Sequence, residues 1–157
     1  GHEAPFAFDL DYGPVSGISR MRVGTPAILA LSSLHAALDV FEDVDMADIR
    51  RKSVSLSELF ITEVEAKCPQ LELASPRDPN ARGSQVSFRF KEGYAVMQAL
   101  IDRGVIGDFR APDVMRFGFT PLYLSHQDIV DAVEILKDIL DTESWNRPEF
   151  KTRAKVT

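Results

Sequence analysis

The chain has 157 residues, 45% apolar and 27% charged, with 18 Lys plus Arg against 24 Asp plus Glu for a net charge of −6. This is globular composition near the length of one average domain (roughly 100–200 residues), which excludes a disordered or fibrous chain. The acidic balance argues against sequence-independent nucleic-acid binding, the single Cys68 excludes an intrachain disulfide or a multi-cysteine metal site, and no apolar run reaches the ~18–20 residues of a membrane span.

Residues 1–24 carry Pro5, Gly13, Pro14, Gly17 and Gly24 and little periodicity, so they read as loop with short extended pieces. A first helix is expected from Thr25-Pro26, with Thr25 as N-cap and Pro26 at the first helical position. Ile28, Leu31, Leu34, Leu38 and Phe41 give it one apolar face. A second helix is predicted from about Asp45 to Ala66. Met46, Ile49, Leu56, Leu59, Phe60 and Val64 mark its buried side, and Arg50-Arg51-Lys52 its wet side.

After Pro69 the period changes to two. Leu71 and Leu73 mark one strand, and Val86, Phe88 and Phe90 mark the clearest strand of the chain, with a polar turn from Pro76 to Gly83 between them. Tyr94 to Arg103 reads as a helix stopped by Gly104. Val105-Ile106 and Val114 to Phe117 read as two strands around an Ala111-Pro112-Asp113 turn, followed by an extended loop with Pro121. Ser125 opens the last helix with Asp128 in capping-box spacing, and Ile129, Val133, Leu136 and Leu140 form its apolar stripe. Beyond Thr142 the pattern fades into a polar, partly basic tail. The expected architecture is α+β: two long helices, then a small-domain sheet with helices on one face.

The side-chain chemistry is sparse. His2, His35 and His126 lack metal-ligand spacing, and Glu42, Asp43, Asp45 and Asp48 lack the glycine and spaced oxygens of a calcium loop, so no metal site is expected. Cys68 reads as structural. No glycine-rich phosphate loop or nucleophile elbow occurs, so no complete catalytic set is present. Two positions stand out. Gly24-Thr25-Pro26 leads into a helix, and Thr25 is either a simple N-cap or a donor to a phosphate at the helix N-terminus. Arg116 lies within the apolar strand Val114 to Phe117, and is either an outward-facing strand residue or a fork for a carboxylate.

Both positions lie in stretches with a family likeness. Arg22-Val23-Gly24-Thr25-Pro26-Ala27-Ile28-Leu29, continued by Ser33-Leu34-His35-Ala36-Ala37-Leu38, resembles the segment that opens the long helix of kynureninases. Arg50-Arg51-Lys52-Ser53-Val54 resembles their next helix. Val114-Met115-Arg116-Phe117-Gly118-Phe119-Thr120-Pro121-Leu122-Tyr123 is similar to their late strand and loop, and Asp128-Ile129-Val130 to their final helix. The likeness covers roughly residues 1–142. The chain opens Gly1-His2-Glu3 without Met. This is either a tag remnant or the end of the family's Trp-aromatic-Gly-His stretch, and the likeness favours the second.

The resemblance implies the C-terminal part of a pyridoxal-phosphate-dependent transferase fold. Residues 1–44 would end the large domain and begin the connecting helices, 45–142 would form the small domain with its lead-in helix, and 143–157 a polar tail. It implies a cytoplasmic homodimer that hydrolyses L-kynurenine, or its 3-hydroxy form, to the anthranilate and L-alanine in tryptophan degradation. The Schiff-base lysine is expected upstream, since Lys52, Lys67, Lys91, Lys137, Lys151 and Lys155 have no matching context. This chain alone would then be inactive and would need the N-terminal portion of the same enzyme as partner. Thr25 is implied as a contact to the cofactor phosphate across the dimer interface, and Arg116 as the clamp on the substrate's α-carboxylate. Neither nucleic acid nor membrane is implied as a partner. The alternatives are the equivalent portion of a cysteine desulfurase or transaminase, or a non-catalytic α+β interaction domain.

Overall fold

The computed structural model describes residues 1–152, in two compact units, Gly1–Val44 and Asp45 onward. Positions 153–157 of the expected tail lie outside the described residues.

The first unit opens with a loop closed on itself. Glu3 N–H donates to the Gly13 carbonyl at 2.8 Å, and His2 and Pro14 form an isolated bridge. The His2 imidazole serves this loop: its Nδ1 accepts from Ala4 N–H at 2.9 Å, and its ring meets Tyr12 edge-on. A short 3-10 turn, Gly17–Met21, follows, then helix α1 (Ile28–Leu38) and a second 3-10 turn, Asp39–Phe41. The helix starts later than the sequence suggests. Thr25 is not its N-cap: Ala27 holds that place without a side-chain cap, and the first bond runs from Leu31 N–H to the Ala27 carbonyl. Gly24, at φ +101°, and Pro26 keep the approach out of helical geometry. The expected apolar face exists but the unit does not bury it itself. Ile28, Leu31, Leu34 and Leu38 stay 49–64% exposed, and no residue of this unit is buried.

The second unit carries the core. Asp45 caps helix α2 (Met46–Lys67) by accepting from Ala47 N–H at 2.8 Å. Strands β1 (Glu72–Leu73), β2 (Gln85–Arg89), β3 (Asp108–Arg110) and β4 (Val114–Gly118) form one antiparallel sheet in the order β1-β2-β4-β3. Helices α3 (Gly93–Asp102) and α4 (His126–Asp141) pack with α2 on one side of it. The register pairs Val86 with Phe117 and Phe88 with Met115, so all four side chains share the face that meets the helices. There Phe60 of α2 packs against Phe117 and Phe119 at ring distances of 4.9 and 5.3 Å.

The local signals at the helix ends are realised. Ser125 and Asp128 form a full capping box on α4. Gly104, at φ +85°, ends α3: its N–H meets the Ile101 carbonyl, and Val105 N–H meets that of Leu100, the paired bonds of a Schellman cap.

Besides the start of α1, three expectations are corrected. The strand expected at Val105-Ile106 forms instead at Asp108–Arg110, because Val105 is used by the helix cap and packs on the core while Ile106 stays exposed. The run Arg50-Arg51-Lys52 is not simply a wet face. Arg50 donates to the carbonyls of Pro79 and Arg82, Lys52 to that of Pro121 at 2.7 Å, and only Arg51 stays at the surface, paired with Asp48. The segment after Thr142 adds Trp145 and Phe150 to the core edge through Phe90 and the short helix α5 (Pro148–Lys151).

Candidate functional site

Strand β4 alternates Met115 and Phe117 into the core, which sends Arg116 to the opposite, open face of the sheet. The register sets Ser87 of β2 on one side of it and Asp108 of β3 on the other. Arg116 is 29% exposed and pairs two-point with the Asp108 carboxylate. Its Nε donates to Oδ1 at 2.6 Å and its Nη2 donates to Oδ2. Arg110 approaches the same Oδ2 at 3.2 Å. The hydrogen bonds from Arg116 hold the Asp108 carboxyl below the usual carboxylate range, and Asp108 in turn raises the Arg116 guanidinium. Among the described residues Nη1 of Arg116 makes no hydrogen bond. The open sheet face thus holds a planar cation, seated on one edge by a carboxylate. This is the donor arrangement that binds a second carboxylate in bidentate fashion.

Gly107 fixes the approach of β3. A Cβ there would stand 2.8 Å from the Arg116 carbonyl oxygen and 2.8 Å from Met97 Cε, so only glycine allows the chain to pass this close. Asp108 escapes a reading of sequence motifs. A signal was nevertheless present, since a hairpin centred on the Ala111-Pro112-Asp113 turn pairs residue 108 with residue 116.

Thr25 belongs to the other unit. It lines a groove of about 410 Å³ with Gly1, His2, Phe6, Arg22 and Gly24. Thr25 and Arg22 are lining residues whose side chains can donate hydrogen bonds to an anion such as a phosphate, while α1 itself begins beyond this groove, at Ile28. No lysine lines this groove.

The remaining candidates have structural explanations. Cys68 is fully buried and its thiol is pushed up to about 11, chiefly by burial, which keeps it protonated and unreactive near neutrality. His126 shares a 2.7 Å hydrogen bond with Ser55 at the surface. Arg82 is buried beneath the 76–82 loop, where it donates to the Pro76 and Arg77 carbonyls, Ser57 and Glu58. No described helix is long and apolar enough to cross a membrane.

Comparison with known proteins agrees with this architecture. The family model for the kynureninase C-terminal domain matches residues 49–136, more than half of the chain. Over its whole length the chain is 54% identical to a kynureninase of Burkholderia mallei (strain SAVP1) and 51% identical to one of Pseudomonas fluorescens. It spans 38% of the length of each. Among solved structures, a NifS-like protein superposes with a TM-score of 0.64 over 82% of this chain and 38% of its own, at 13% identity, a likeness of fold.

Proposed function

The chain belongs to the kynureninase C-terminal domain family, and from that premise we propose that it is the C-terminal portion of a pyridoxal-phosphate enzyme. The enzyme hydrolyses the Cβ–Cγ bond of L-kynurenine or its 3-hydroxy form, giving the anthranilate and L-alanine. The observation that carries this reading within the chain is Arg116, a guanidinium fork on the open sheet face, seated by Asp108 and exposed enough to take a ligand. Arg116 binds the substrate's α-carboxylate, and a two-point contact fixes orientation as well as position, so the bond to be broken stands in one geometry.

Pyridoxal phosphate, when bound, supplies the electron sink for the cleavage. This chain's donors suit only the phosphate end: Thr25 donates its hydroxyl there, Arg22 adds charge, and the lysine that anchors the cofactor is supplied by the N-terminal portion. The chain alone is therefore inactive. The N-terminal portion is its partner, within a cytoplasmic homodimer, and the apolar side chains that the first unit does not bury itself support the partnership with that portion.

The test is Arg116→Ala in the full-length enzyme. Cofactor binding and its absorption spectrum stay nearly intact. kcat/KM for L-kynurenine falls by ~10²–10³-fold, as expected when a bidentate charge-assisted contact is lost. An unchanged kcat/KM would remove the clamp role.

A further inference from the structure

Arg116 has five N–H donors on three edges, and Asp108 uses two of them, on the Nε–Nη2 edge. The two Nη1 hydrogens and the second Nη2 hydrogen remain. We infer that Asp108 is a positioning residue for substrate binding, which seats one edge of the Arg116 fork so that the Nη1–Nη2 edge faces the α-carboxylate. This rests on the clamp reading of Arg116 given above.

Three observations support a holder over a competitor that the substrate must displace. First, Asp108 is the direct cross-strand partner of Arg116, and Gly107 lies hard against the Arg116 carbonyl, so the backbone under the carboxylate cannot drift from the fork. Second, Arg110 approaches the same carboxylate, at Oδ2 and 3.2 Å, a second cation that resists its swinging away. Third, the cluster of Arg116, Arg110 and Asp108 carries two positive charges and one negative, leaving one positive charge for one incoming carboxylate. The pair is also a poor stability device. Asp108 is 46% exposed, and ion pairs this wet contribute little to folding. What it does supply is rotamer restriction, since a long arginine side chain otherwise loses that freedom on binding.

The experiment uses the full-length enzyme with Asp108→Asn, which keeps shape and removes charge, alone and combined with Arg116→Lys. KM for L-kynurenine and the dissociation constant of L-alanine, measured by equilibrium titration, are each expected to rise about 10-fold, the weakening of one charge-assisted contact. kcat and the melting temperature stay nearly unchanged. On the Arg116→Lys background Asp108→Asn adds nothing, because an ammonium has no edge to orient. An unchanged or lower KM overturns the inference, the lower value marking Asp108 as a competitor. A collapsed melting temperature or failure to fold assigns Asp108 a structural role and overturns it too. If Arg116→Ala is severe while Asp108→Asn is silent, only the Asp108 inference falls. If Arg116→Ala is itself silent, the clamp reading falls and takes this inference with it.

Discussion

The two units of the chain differ in what they do with apolar side chains. Of the 18 large hydrophobic residues exposed among the described residues, 14 lie before Asp45, although that unit is the shorter one. From Asp45 onward the same residue types are packed: Leu56, Ile61, Val86, Phe88 and Met115 have no exposure at all. Both stretches have sound local structure. A helix without a covered face is not held by propensity, however, because most helical stability in proteins comes from burying an apolar side. The second unit buries its own apolar side chains and the first does not, and apolar side chains left uncovered by their own unit are the kind of surface that another part of a protein covers.

Substitutions sharpen that contrast, and the largest effect is expected at the centre of the core. Phe60→Ala removes a ring that packs on Phe88, Phe117 and Phe119, and should cost about 3–5 kcal/mol in a chemical denaturation of this chain. Arg82→Met strips four acceptors beneath the 76–82 loop and should cost about 2–3 kcal/mol, with faster proteolysis of that loop. Thr25→Ala should raise the cofactor's dissociation constant in the full-length enzyme roughly 10- to 150-fold, the worth of one hydrogen bond to a charged group. Since Ala27 and not Thr25 stands at the start of α1, its melting temperature should not move. Ser125→Ala breaks the α4 capping box and should cost about 1 kcal/mol. Smallest is Leu34→Ala: in this chain alone it should stay within about 0.5 kcal/mol, as for other exposed sites. In the full-length enzyme the same change should cost several times more. An equal, negligible cost in both would break the reading of unit 1 as a partner surface.

What was legible in the sequence follows the range of the interactions involved. The Ser125–Asp128 box, the Gly104 stop and the alternation through Val86 and Phe88 are written within a few residues, and the structure realises each of them. The buried stripe of α4 follows for the same reason. Errors occur where a distant partner decides. Arg50 and Lys52 look like solvated charges until the loops at Pro79 and Pro121 come back over α2. Trp145 and Phe150 sit in a polar stretch without periodicity, and only Phe90, 55 residues before Trp145, shows why they are needed. The strand slipped from Val105-Ile106 to Asp108–Arg110 because a helix cap and a glycine contact compete with strand pairing there. At the candidate site Arg116 is visible as a cation in an apolar strand, whereas Asp108 acquires its role only through register.

As a clamp, Arg116 would act on one charged group of the substrate, the α-carboxylate. The most direct measurement is a cycle in the full-length enzyme, with Arg116→Ala crossed against a kynurenine analogue whose α-carboxylate is replaced by an uncharged group. With Arg116 as the clamp, the analogue is a poor substrate of the unmodified enzyme and loses little more kcat/KM on mutation, because both changes remove the same interaction. If the mutation lowers kcat/KM for kynurenine and for the analogue by the same factor, Arg116 is structural and does not clamp the carboxylate.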